Sequence, residues 1–530
     1  MNINEITAPF PKLSDGSADG KQSPAIKLYG RRFYKDQTPV EYLAEFLLVF
    51  VSPKCDLNND QEGAYGFRPC SASGSGMRYW PRSAIALKLF AFFPASKLET
   101  RHLVHRQAYL AAVDRIRSMV NGNREEQDET VRLVQSLLGG FVGVAKNRTW
   151  VTHSFLPAST MLLSRELDWL HSKAKKDPDL KEWRDAEKYF ARDRHNFMAR
   201  GGELLFLQLA NLFSDPDAPE ISTIKDLDEY THLAEEHPSE LEVDINKGLK
   251  WILEDAIRPL NALAGLIEKQ LDELTLKNDS APALLGWVPR VSRVEALLFA
   301  VELRNICSLK LSSLEKLDLL QLLCCFQVLR SLCFQASRLE KPASKTFGFI
   351  GNYAWIVSNP ESSVRAADRK MAQSCVNRID AILYRVLRHK SLQANGKTGS
   401  MREADEHGFK IFKKIAKQIG LIVPRKGGGE RFVLNPFLIR FLVAALVKPG
   451  DYVPLNEFYN RVFAHYGIAI GGDPLVTAVD WSSGSSGEKS YGLDVSTGWV
   501  EEALQQGGFL IELSDAVSIV HNPGGGEVTT

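Results

Sequence analysis

The sequence predicts a mainly α-helical, multidomain protein whose C-terminal region is winged-helix-like and carries short β-hairpins. Three observations carry that expectation. The chain has 530 residues, more than one hydrophobic core usually supports, which implies roughly two to four domains. Apolar residues recur at steps of three and four through most of its length, the period of one helix face. Beyond residue 400 a helical segment twice gives way to two short apolar runs around a tight turn, the pattern of a hairpin.

Taken in order, residues 1–25 read as a disordered leader, polar and Pro/Gly/Ser-bearing, with no basic segment ahead of an apolar run. Residues 26–150 form an expected N-terminal helical domain. Within it Val40, Leu43, Ala44, Leu47, Leu48 and Val51 mark one helix face, and Pro39 suits the first turn. Residues 52–81 are rich in Gly, Ser, Asn and Pro and lack periodicity, so a long loop is expected there. Helical patterning returns over 82–93, 101–120 and 124–138, ahead of Gly139-Gly140.

Residues 151–395 form an expected middle helical domain. Its helices are read at 150–170, 180–213, 247–276 and 291–339, the last dense in Leu and Cys. Between them 214–244 is strongly acidic, with Lys225 its one Lys or Arg, and reads as a solvated linker or insertion. The Ser/Asn/Gly/Lys stretch from Ser391 to Ser400 marks a domain boundary.

The winged-helix-like region covers 401–530. A helix over 402–418 precedes strands on either side of Gly427-Gly428-Gly429, and Asn435-Pro436 closes that unit. Helices follow at 437–447, 455–466 and 499–506. Gly507-Gly508 then breaks the chain before strands at 509–513 and 516–521, and Asn522-Pro523 closes again. Helix, helix, helix, hairpin is the order of a winged helix, preceded here by a related helix–hairpin unit.

Hydrophobic content of 44%, charged content of 24% and a net charge of +1 are those of an ordinary globular protein, so any nucleic-acid surface must be local. Cys307, Cys324, Cys325, Cys333 and Cys375 lie in apolar helical sequence and suit reduced core thiols, which points to the cytoplasm. The apolar stretches Tyr42–Val51 and Leu317–Leu329 are interrupted by Glu45, Asp318 and Gln321. Both fall short of the ~20 residues a bilayer span needs, and no membrane segment is expected.

Three groups of residues could carry chemistry. Lys410, Lys413, Lys414 and Lys417 share one helix face, and Arg425, Lys426 and Arg431 belong to the following hairpin, with Glu430 the one acid from Phe409 to Arg440. Such cations suit duplex phosphates, and equally a solvated or protein-binding face. At Arg192–Glu203, a helix opening on Gly201-Gly202 would offer backbone N–H groups to an anion, with Arg194, His195, Arg200 and Glu203 beside it. The same two glycines equally suit close helix packing, and the charged residues suit pairing with one another. Cys55, Cys70, His102 and His105 are chemically fit for zinc, but no CxxC occurs and the spacing is poor, so no metal is assigned. His153 has no nucleophile partner in view. Phosphate-loop, dinucleotide, nucleophile-elbow and HExxH motifs are all missing, so no catalytic residue and no cofactor is nominated.

At Gly30–Phe50, at Ala199–Glu203 and over Phe437–Gly467 the chain resembles proteins encoded in prokaryotic antiphage defence islands. The likeness is to the accessory, non-modifying subunit of a methylation-associated defence system, with phosphorothioation-linked restriction systems next. It implies a non-catalytic scaffold or recognition subunit that works beside DNA-modifying and DNA-cleaving partners from the same gene cluster; the basic C-terminal module adds the expectation that it contacts duplex DNA or those partners. A nuclease of unfamiliar type using the residues near Arg194–Glu203, and a winged-helix transcriptional regulator, are the rival expectations.

Overall fold

The computed structural model describes residues 3–12, 23–30, 33, 37–52, 54, 66–67, 77–79, 110, 113–114, 117–138, 168–169, 177–179, 190–191, 201–257, 283–340, 353–361, 365–393, 401–483, 497–514 and 517–523. Among these residues the protein is mainly helical, with sixteen α-helices and a few short strands. The leader, the 52–81 loop, the helices read at 82–120 and the 150–170 helix lie wholly or largely outside the described residues.

After α1 (Ile3–Ile6) and α2 (Pro24–Tyr29), α3 (Pro39–Val51) is set by a capping box. The Thr38 hydroxyl accepts from the Glu41 N–H, and the Glu41 carboxylate accepts from the Thr38 N–H at 2.8 Å. Every α3 residue after Pro39 is buried, so it is a core helix and not a surface one. A peripheral helix, α4 (Arg124–Leu138), begins at Asn123, whose side chain accepts from two first-turn amides.

The next helix, α5 (Gly201–Phe213), lies against α3 at very short range. A Cβ on Gly201 would meet the Tyr42 ring at 2.2 Å, and one on Gly202 would meet the Tyr42 carbonyl oxygen at 2.3 Å. Only glycine admits that approach.

The acidic stretch 214–244 is folded, which corrects its reading as a solvated linker. It forms α6 (Pro219–Lys225), a 3-10 segment (Asp228–Leu233) and the start of α7 (Pro238–Ile257). Ala218, Ile221, Ile224, Tyr230, Leu233 and Leu241 point inward. Most of its acids sit on the outer side of an amphipathic segment and mask the inner stripe, although Glu236 and Glu242 are buried.

Two helices complete the centre, α8 (Arg293–Ser308) and α9 (Ser313–Glu340). Ser312 and Glu315 form the entry box of α9. Among the described residues α9 alone is long and apolar enough to cross a membrane, but 94% of its most apolar window is buried inside the fold. Cys307, Cys324, Cys325, Cys333 and Cys375 are all buried free thiols.

Two-residue strands tie distant loops together: β1 (Pro9–Phe10) with β6 (Val288–Pro289), β2 (Arg78–Tyr79) with β5 (Ala283–Leu284), and β3 (Asp168–Trp169) with β4 (Phe190–Ala191). Beyond β7 (Trp355–Ile356) comes α10 (Ala366–Val386). The predicted 402–418 helix is two helices, α11 (Met401–Gly408) and α12 (Lys410–Gln418), broken at Phe409 with φ −125°. β8 (Ile422–Val423) and β9 (Arg431–Phe432) then pair as an antiparallel hairpin.

Asn435 caps α13 (Pro436–Leu446) by accepting from the Leu438 N–H at 2.9 Å. There follow β10 (Tyr452–Pro454), α14 (Leu455–Tyr466), β11 (Ile468–Ala469), α15 (Gly472–Ser483), α16 (Gly498–Gln506), β12 (Leu510–Ser514) and β13 (Val517–His521). Gly467 ends α14 in the left-handed region, φ +70°. The last three-stranded sheet runs β10–β13–β12, all antiparallel.

The regions before and after the predicted boundary share one core, which runs from Phe10 to Val520. β11 pairs in parallel with β7, the Tyr230 hydroxyl donates to the Ala464 carbonyl at 2.7 Å, and the Asn305 amide donates to the Ala445 carbonyl at 2.8 Å.

Candidate nucleic-acid interface

The basic helix–hairpin unit is built on an amphipathic α12. Ile411, Phe412, Ile415 and Ala416 are buried, which leaves Lys410, Lys413, Lys414 and Lys417 on the opposite side. Two of these lysines are committed inside the protein. Lys413 bridges Asp380 at 3.0 Å and Glu430 at 3.1 Å, and Lys417 bonds the other oxygen of Glu430. Partial burial disfavours the Glu430 charge, but the hydrogen bonds from Lys417 and Lys413 outweigh it and hold the carboxyl below the usual range.

Arg431 corrects its sequence assignment to a phosphate surface. It is buried, and one guanidinium nitrogen donates to the carbonyls of Asn359, Pro360 and Glu361 at 3.3, 3.4 and 3.0 Å. Its role is to pin β9 to the segment before α10.

Arg425 and Lys426 are different. Both are exposed at the hairpin tip and neither has an ion pair among the described residues; Lys410 is likewise exposed, and Lys414 is half-buried. A Cβ on Gly427 or Gly428 would meet nothing within 4 Å, so the tip stands clear of the body. Gly427 and Gly429 take φ of +96° and +82°, turns that other residues enter at a cost.

Charge divides the C-terminal region sharply. Residues 401–435 hold eight Lys or Arg against four Asp or Glu, whereas 436–523 hold four against ten. α16 carries Glu501 and Glu502 and no cation. The β12–β13 hairpin has no Lys or Arg either, and Tyr452 and Leu513 are 63% and 61% exposed beside it. The nominated cations therefore sit on the first helix–hairpin unit, and the three-stranded unit after it is acidic.

The second nominated group meets a built-in carboxylate. Gly201-Gly202 does open α5, but the Gly201 N–H donates to Gln37 Oε1 at 3.2 Å and the Gly202 N–H to Glu45 Oε2 at 2.8 Å. Glu45 holds the place an external anion would take. Burial, then the charge of Glu203, push the Glu45 carboxyl well above the carboxylate range, against the bonds from Gly202 and Gln37. Glu203 is buried and accepts from the Tyr79 hydroxyl at 2.7 Å. Arg194, His195 and Arg200 lie outside the described residues, as do Cys55, Cys70, His102, His105 and His153. Among the described residues no three His, Cys, Asp or Glu side chains are grouped to hold a metal.

Sequence reasoning missed a buried polar cluster. Arg330 of α9 forms two parallel bonds to Glu302 of α8, at 2.7 and 2.9 Å, both side chains fully buried. Glu302 also meets His465 Nδ1 at 2.7 Å, and His465 Nε2 lies 2.8 Å from His232 Nε2. Gln327 accepts from Arg330 Nε at 2.9 Å and donates to Gln208 at 2.8 Å. Burial, then His465, depress His232 to about 2, and burial depresses His465 despite Glu302. A charged residue amid Leu and Cys was the available signal, since buried Arg is rarely unpaired.

Comparison with family models, with characterised proteins and with solved structures finds nothing that matches this chain.

Proposed function

We propose that this chain is a non-catalytic, cytoplasmic component of a prokaryotic antiphage defence system, which contacts duplex DNA through the β8–β9 hairpin tip and holds partner proteins of its gene cluster. The observation that carries the DNA reading is the clear, exposed tip bearing Arg425 and Lys426. Cations placed this way release counterions from a phosphate backbone at no cost of breaking internal ion pairs.

A winged-helix-like reading of 436–523 rests on connectivity. Helix α13, strand β10, helix α14, helix α16 and hairpin β12–β13 follow in that order, with the first strand beside the last in the sheet. α15 is an insertion between the second and third helices. Its acidic α16 is unsuited to phosphates, and this favours a protein partner for that unit, with DNA left to the basic hairpin.

The test is binding of the full chain to a short labelled duplex over a salt series. The expected result is binding that falls steeply with salt, and an Arg425→Ala/Lys426→Ala variant whose log–log salt slope is shallower by about 1.8, or ~0.9 per lost phosphate contact. Failure of the intact chain to bind at low salt would sink the DNA reading.

A further inference from the structure

Resting on the reading that the 436–523 unit takes a protein partner, we propose that the outer face of the β10–β13–β12 sheet is the docking surface. Its occupant is an amphipathic helix of that partner, apolar toward the sheet and bearing Lys or Arg along its margins.

The register of the strands defines the face. Val453, Val520 and Leu510 lie opposite one another across the sheet. The two valines belong to the core and Leu510 packs against it, on the side backed by α14 and α16. Alternation along each strand puts the neighbouring rows on the other side. These rows are Tyr452 opposite His521, and Pro454 opposite Ile519 opposite Ile511. The Tyr452 and His521 rings stack at 5.5 Å with 12° between their planes, Pro454 is exposed, and Ile519 and Ile511 are half-buried. The irregular step between Glu512 and Ser514 leaves Leu513 without an opposite residue on β13, and it stands largely in solvent, as Tyr452 does. A solvated sheet face carries polar residues in these positions, so an apolar one marks an interface.

The edges of the sheet are blunted. Pro454 has no N–H to offer beyond β10, and the bulge interrupts β12. The face is therefore covered through side chains and not by an added strand. Three strands about 4.8 Å apart make a surface roughly 10 Å across, which one helix about 10 Å in diameter covers.

Charge selects the margins of that helix. Asp451, beside Tyr452, and Glu512, beside Leu513, are exposed and have no ion pair among the described residues. Residues 497–523 hold no Lys or Arg. Lys448, just before β10, and Arg461 of α14 are paired with Glu236 at 2.9 Å and Glu457 at 3.0 Å. An apolar centre with a negative rim is the complement of an apolar stripe flanked by cations. The same rim disfavours a second copy, because two such faces would set Asp451 and Glu512 against their own kind. The hairpin tip of another copy, Arg425-Lys426-Gly427-Gly428, brings cations with no apolar side chain to fill the centre.

The probes are synthetic helical peptides of equal length with one leucine stripe, its margins filled with Lys, Glu or Gln, titrated into the full chain by fluorescence anisotropy. The Lys peptide is expected to bind about tenfold tighter than the Glu peptide, and Tyr452→Ala/Leu513→Ala to weaken it by about tenfold or more. Asp451→Lys/Glu512→Lys should reverse the order of the two charged peptides. That reversal reads the face even if the Tyr452 pair lowers stability, which circular dichroism melts record. Binding unchanged by both double variants, or no binding of the Lys peptide at ~1 mM, overturns the inference. A dimer of the intact chain in analytical ultracentrifugation that is lost in Tyr452→Ala/Leu513→Ala puts a second copy on the face and overturns it too. Co-expression with the neighbouring genes separates the face from the broader reading. A gene product that co-purifies equally with the intact chain and with both variants leaves that reading standing and overturns the face. If the peptide results hold and no neighbouring product co-purifies, the face stands and the gene-cluster partner falls.

Discussion

Arg330 keeps a full charge where water does not reach, and everything around it serves that fact. Glu302 satisfies two of its N–H groups, Gln327 and the His465 carbonyl take others, and the Tyr466 ring lies 5.0 Å from the guanidinium carbon. Removing one partner strands the other, so Arg330→Ala is expected to cost about 3–5 kcal/mol in urea unfolding. The paired Arg330→Met/Glu302→Leu should recover most of it, and a double variant as unstable as the single one would show that the pair is not the source. The histidines add a pH dependence. His232 and His465 are both depressed in the fold, so their contribution is complete above the unfolded value near 6.5 and is lost as pH falls through and below it. Melting temperature should drop from pH 7 to pH 5, by an amount equivalent to roughly 2 kcal/mol for His232 alone. His232→Gln should flatten that drop. The sequence hinted at none of these partners, because Arg330 and Glu302 belong to different helices and His465 lies far beyond both. The lysine face of α12 was legible from spacing, but its clamp on Glu430 depends on a hairpin that folds the acid back over the helix.

Elements were most legible where a local rule fixes both ends. α14 runs from Leu455 to Tyr466 as its periodicity and Gly467 require, and α13 starts where Asn435-Pro436 can cap it. The reading failed where charge hid the stripe, as at α6, and where a break carries no glycine or proline, as at Phe409. β10 and α15 were overlooked as well, one too short for periodicity and the other beginning in a Gly-Gly-Asp-Pro turn signal. At the α3–α5 contact the two readings of Gly201-Gly202 can be separated by substitution. Gly202→Ala drives a methyl into the Tyr42 carbonyl oxygen and the Phe46 nitrogen, both backbone, so neither can rotate away. A loss of about 3 kcal/mol or more is expected, the upper end for overpacking. Gly428→Ala, with open space around it, should change stability by less than about 0.5 kcal/mol. Equal denaturation midpoints for the two variants would show that the α3–α5 approach does not depend on glycine.

At the scale of the whole molecule, the expected boundary near residues 391–400 separates sequences of different composition, yet the two sides are bound together inside one core. Composition reports where a chain becomes polar, and it is blind to strands and side chains that cross back. Trp355 is fully buried between the rings of Tyr353, Phe412 and Phe432, and its strand pairs with β11. Cutting the chain at residue 400 exposes that tryptophan, frees the carbonyls of Ala445 and Ala464 from Asn305 and Tyr230, and takes His465 from Glu302. A separated 401–530 fragment should therefore lack the cooperative near-ultraviolet melting transition of the full chain, and mixing it with 1–400 should restore that transition. A fragment melting cooperatively within a few degrees of the intact protein would show instead that the region folds as an independent domain. That outcome would also make the basic hairpin separable from α10, whose first turn lies on the other side of the cut. Loss of cooperativity on cutting would mean that the basic hairpin keeps its place only in the assembled chain, because the segments on either side of the cut require each other to fold.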